Sequence, residues 1–181
     1  MITPKELAQA YERNMGIIEE QVKGLSHEQC LIQPPVRGNC MNWVLGHMAE
    51  TRSSVCKTLG QGALMTPEEA KRYGYGSKPV CGEEPGVLPL SRLLEILRES
   101  QKRINAAMPL LTDQDLSRIV KDHRGDVTMA NRLVFLNFHD TYHVGQLELL
   151  RQLAGTNDHV IEGSGRPERD TARILIWEHS L

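Results

Sequence analysis

The sequence predicts an all-α fold: a four-helix bundle with a long crossover loop and a short irregular C-terminal tail. Three observations predict it. Four segments repeat apolar residues at helical spacing, about 100° per residue. Helix start signals precede them. Between the second and third lies a Gly- and Pro-rich stretch, residues 61–89, too long for a simple turn. Amphipathic helices are most readily buried against one another, and 181 residues suffice for one core, so residues 1–181 are read as a single domain.

The first helix is expected over residues 4–24. Thr3 caps it, Pro4 takes the first helical position and Glu6 closes a capping box. Leu7, Tyr11, Ile18, Val22 and Leu25 form its stripe, and Gly24 ends it. Ser26 to Gln29 can begin a short turn that Pro34-Pro35 stops, with His27 solvated on the linker. The second helix is expected over residues 41–59 behind Asn39 as N-cap. Met41, Val44, Leu45, Met48, Val55 and Leu59 form its apolar stripe, and His47 sits at the stripe's edge one turn after Trp43. Alone, such a histidine reads first as a packed, hydrogen-bonded residue.

Within the crossover, residues 67–72 can form a helical turn behind Thr66. The third helix, residues 91–110, sets Leu93, Leu94, Leu97, Ile104 and Met108 against a charged, solvated face. Thr112 to Asp115 can form another turn, and residues 122–126 read as a polar connector with His123 exposed.

The fourth helix, residues 129–154, is capped by Thr128 and closed by Gly155. One stripe holds Arg132, Phe135, Leu136, His139, His143, Gln146, Leu147 and Leu150. Two imidazoles at i, i+4 on one face bring their nitrogens within reach of a single ion. They read equally well as two core histidines, each held by a hydrogen bond, and a third ligand decides between the two. In the tail, residues 156–181, the segment ARILIWEHSL can be a strand or a terminal helix, and His159 and His179 lack partner spacing.

The charge balance excludes some classes of function. Lys plus Arg is 21, Asp plus Glu is 23, and the net charge is −2. A phosphate-binding protein normally shows a strong basic field, so nucleic acid is not an expected partner. Cys30, Cys40, Cys56 and Cys81 show no paired spacing, which suggests reduced thiols and a cytoplasmic location. Cys56 lies about 180° round the helix from His47, off the histidine stripe. No signal or membrane segment is expected.

Two segments carry a family resemblance. GNCMNWVLGHMAETR, residues 38–52, and FHDTYHVGQLELLRQLAG, residues 138–155, together resemble the DinB/YfiT-like family through W-x-x-x-H and H-x-x-x-H-x-G-Q signatures. RYGYGSKP, residues 72–79, is similar to a segment of some members. The resemblance implies a helical bundle with one crossover, a homodimer, and a divalent metal held by three histidines, here His47, His139 and His143. It also implies chemistry like that of thiol-dependent transferases using bacillithiol or mycothiol, or of a maleylpyruvate isomerase. The family's association with DNA damage suggests nucleic acid, against which the charge speaks.

Three neutral imidazoles would leave the ion's charge uncompensated and a coordination position open, the pattern of catalytic sites. Water held there would have its pKa lowered to around 7, and a thiol would be deprotonated. Zinc is expected first and nickel next, with iron, manganese or cobalt compatible. The expected reaction is attack by an activated low-molecular-weight thiol or water on a small electrophilic substrate, as in an S-transferase or hydrolase. The alternative is a non-catalytic dimeric metal-binding module for stress response or ligand binding. Gln146 is a candidate helper for substrate or water, or an ordinary polar residue at the bundle end. Gly145 would admit a close neighbour. Glu50 and Asp140 read as carboxylates supporting the histidines or, more commonly at such positions, as surface residues.

Overall fold

The computed structural model describes residues 2–122, 125–156 and 160, so His123, His159, His179 and the expected tail element lie outside the described residues. The first helix, α1 (Pro4–Val22), begins as its sequence dictates: Glu6 N–H donates to Thr3 Oγ1, and Thr3 N–H donates to the Glu6 carboxylate at 2.7 Å. A single turn, α2 (His27–Cys30), repeats the device with Ser26 and Gln29. His27 is not solvated as expected; it is half-buried, with Nε2 2.8 Å from Glu83 Oε2.

Helix α3 (Met41–Thr58) is capped at Cys40, not Asn39, and no side chain closes the cap. Fourteen of its 18 residues are buried, so burial extends well past the expected apolar stripe, nearly all round the helix. The neighbours explain this: α3 packs against α5 (Leu90–Ala107) and α7 (Met129–Leu153), and α4 (Pro67–Tyr73) lies across it. The capping box of Thr66 and Glu69 starts α4 inside the crossover.

Helix α5 gives way to a 3₁₀ turn, Met108–Leu110, and a short α6 (Asp113–Ser117) follows. The expected polar connector is instead an antiparallel hairpin, β1 (Ile119–Asp122) with β2 (Gly125–Thr128), pairing Ile119 with Thr128 and Asp122 with Gly125. The β-branched Ile119, Val120 and Val127 support the strands. The polar run of residues 121–126 hid the pattern in the sequence.

The four long helices pack in a ring, each against two others: α1 on α5 and α7, α3 on α5 and α7. Two apolar clusters fill the ring. Trp43, Met48, Tyr73, Ile96 and Leu147 belong to one, and Tyr11, Val55, Ile104, Met129 and Leu133 to the other. Between them along every helix lies a buried polar layer. Arg52 of α3 grips both oxygens of Asp140 of α7, donating at 2.8 Å to each, and donates to Gln101 of α5 at 2.9 Å and to the Tyr11 carbonyl of α1 at 3.1 Å. Asn14 of α1 adds a bond to Asp140 at 2.8 Å. Asp140, expected more readily at the surface, is 1% exposed; its charge is compensated by a fork-on-fork pairing that only the assembled bundle creates. No helix among the described residues is long and apolar enough to cross a membrane.

Candidate metal centre

Three histidines meet where α3 and α7 touch. His47 arrives from α3, and His139 and His143 from successive turns of α7. The Nε2 atoms of His47 and His143 each lie 3.2 Å from His139 Nε2, and one nitrogen from each ring falls within 4.8 Å of the others.

The surroundings define the tautomers. His47 Nδ1 is 2.8 Å from the Tyr73 carbonyl oxygen, which only accepts, so Nδ1 carries the proton and Nε2 keeps a lone pair. His143 Nδ1 donates to Gln146 Oε1 at 2.7 Å, with the same consequence. Trp43 stacks on the His47 ring at 4.9 Å and 22°. His139 Nδ1 is buried without a partner among the described residues.

Electrostatics keeps these rings neutral. Burial lowers the pKa of His47 and His143, and that of His139 falls to about 4, through burial first and then the charges His143 and His47 would carry. Neutral His139 has at most one Nε2 proton to give, yet two lone pairs face that nitrogen. At least one pair of lone pairs is left opposed, an arrangement that a cation between the rings relieves. The donor set therefore fits a divalent metal, and all-nitrogen ligation suits zinc or its neighbours in the first transition row.

The Tyr73 carbonyl was not legible in the sequence. Tyr73 is fully buried; its hydroxyl donates to Asn42 Oδ1 at 2.9 Å and accepts from Leu88 N–H at 2.8 Å. Its ring packs against Gly46, where a Cβ would come to 2.0 Å from Tyr73 Cδ1. Gly46 thus lets the crossover approach α3 closely enough to orient His47. A glycine before the histidine was the available signal, but nothing in the sequence named its partner.

Gln146 stands one turn beyond His143, as expected, with its amide oxygen turned to the ring. Gly145 does not meet a close neighbour: a Cβ there would touch nothing within 4 Å. Glu50 is half-buried rather than a surface residue, and burial raises its pKa. Cys30, Cys40 and Cys56 are buried free thiols, and none joins the histidine cluster. The three rings open onto a cavity of about 470 Å³ walled by Trp43, Tyr75, Tyr142 and Leu150.

A helical bundle with a histidine trio between two of its helices defines a class: an all-α fold able to hold a metal ion at the side of its core. The chain belongs to the DinB superfamily, whose family model matches residues 10–147. The crystal structure of a conserved protein from Enterococcus faecalis has the same fold, with a TM-score of 0.66 at 16% identity, covering 85% of this chain and 98% of that one. No curated protein matches the chain.

Proposed function

We propose that this DinB-superfamily protein is a metal-dependent enzyme in which His47, His139 and His143 hold a divalent ion, zinc first and nickel next. The activated group is a low-molecular-weight thiol or water, and the target a small electrophile. The observation that carries the reading is the convergence of three neutral Nε2 atoms, each 3.2 Å from its neighbour across His139, at the floor of an open cavity. An ion held there would act as a Lewis acid, lowering the pKa of a thiol or water placed against it.

The chain's own groups do the rest. Tyr73 and Gln146 fix two rings in the ligating tautomer. Trp43, Tyr75 and Tyr142 line the cavity and offer aromatic surface to a bound molecule. Among the described residues no carboxylate lines it. The ion would ionise water and thiol alike, but a hydrolase commonly adds such a carboxylate to orient the water and pass protons on, whereas a bound thiolate attacks without one. This favours thiol transfer, in which sulfur bonds to the electrophilic carbon, the leaving group departs with its electron pair, and the thiol proton passes to solvent.

A second reading is a non-catalytic metal-binding module, favoured by the ligands' position on two helices, where an ion would brace α3 against α7. A homodimer and a cytoplasmic setting complete the proposal; Val134 and Phe138, exposed one turn apart on α7, support the first. The test is thiol consumption with a model electrophile such as 1-chloro-2,4-dinitrobenzene, using the zinc-loaded and the nickel-loaded protein. Turnover that vanishes in His143→Ala supports the enzyme; folding lost on chelation with no turnover supports the module.

A further inference from the structure

The walls of the cavity say what kind of molecule suits it. Among the described residues, four of the large apolar side chains left in solvent border this one cavity: Val36 at 71%, Tyr75 at 99%, Tyr142 at 59% and Leu149 at 59% exposure. Isolated exposed apolar residues are ordinary, but a cluster round a concave site marks a binding surface. Two of the four are tyrosines, which offer flat apolar faces at small cost in side-chain entropy.

The charges are as one-sided as the walls are apolar. Among the described residues, Arg37 is the one charged side chain that lines the cavity beside the histidines, and none of them gives it a carboxylate partner. No acidic side chain among the described residues lines the cavity to offset it. With a divalent ion on three neutral rings, the cavity would hold positive charge at its floor and at its mouth, with no protein anion between them. A ligand that brings its own negative charge is stabilised at both points, and a cationic one is repelled.

Resting on the metal-site reading above, we infer that the cavity takes an organic anion with an apolar body of aromatic size: a donor end at the histidines, the body between Tyr75 and Tyr142, and a carboxylate-like group at Arg37. Arg37 sets specificity and takes no part in bond making. Because it is solvent-exposed, its pairing with a ligand carboxylate is worth up to about fivefold in affinity.

The experiment compares 4-mercaptobenzoate with its neutral isostere 4-mercaptobenzamide. In cobalt-loaded protein, binding is read from the thiolate-to-cobalt charge-transfer band. In metal-free protein carrying Trp177→Phe, it is read from Trp43 fluorescence. Wild type binds the carboxylate several-fold more tightly, Arg37→Gln binds the two equally, and Tyr142→Ala weakens both alike. Equal binding of the two by wild type, or a preference that survives Arg37→Gln, overturns the inference. An absent cobalt spectrum defeats the metal-site reading alone, because the fluorescence comparison still decides the anion preference.

Discussion

At the scale of single residues, the candidate centre depends on atoms that define which nitrogen of each ring holds a proton. His139 and His143 were legible from their i, i+4 spacing, and His47 from its place in the W-x-x-x-H signature. The groups that orient them were not equally legible. Gln146 lies one turn from His143, within reach of helical arithmetic, whereas the Tyr73 carbonyl is 26 residues from His47 and reaches it only because Gly46 has no side chain. Gly46→Ala should therefore displace the Tyr73 ring, at a cost of about 1–3 kcal/mol for overpacking a filled site. Its metal affinity should fall as well, measured by competition with a chromophoric chelator; unchanged stability and affinity would contradict this packing. The lowered pKa values set a pH dependence. In the unfolded chain the imidazoles take up protons near 6.5, while folded His139 resists until about 4. Protons therefore bind the unfolded state more, so stability is full above pH 6.5 and declines as the pH falls toward 4. The urea midpoint of the metal-free protein should drop between pH 7.5 and 5, and drop less in His139→Gln. Equal pH dependence in the two would count against neutral buried imidazoles.

At the scale of elements, periodicity located the four long helices to within about three residues at most boundaries, because caps such as Thr3 and Thr128 are written locally. It failed where burial is set by neighbours. Thr51, Arg52 and Ser53 of α3 lie off its apolar stripe, and helical arithmetic gives them no reason to be buried, yet other helices cover them. Arg52 and Asp140 are each indistinguishable in sequence from surface charges; their burial shows only once α3 and α7 lie side by side. That pair holds α7 by the residue next to His139, and so fixes the face that α7 turns toward α3. Removing one partner strands a buried charge, a loss of about 3–5 kcal/mol. Asp140→Ala should show that loss in urea denaturation and should broaden the amide resonances of residues on both helices. A variant as stable as the parent would mean that the polar layer contributes little to the packing of α7.

At the scale of the whole molecule, the bundle and its crossover followed from four amphipathic segments and one Gly- and Pro-rich break, and the family match over residues 10–147 agrees with them. The two strands before α7 were hidden by their shortness and by the polar residues they carry. The bundle explains where the centre sits. The apolar cluster reaches the histidines through Trp43, which stacks on His47, and Leu147, one turn past His143, and the buried ion pair touches the centre through Asp140, next to His139 in the chain. The side away from the core is left to the cavity. An ion there would join α3 to α7, so chelation should lower thermal stability without changing helix content at low temperature. The most direct test is elemental analysis of the purified protein beside His47→Ala, after both are exposed to zinc and nickel and freed of loosely held ions. About one equivalent of divalent metal in the parent and a small fraction of that in the variant is the predicted result; equal metal in both, or none in the parent, would contradict a centre built by these three histidines.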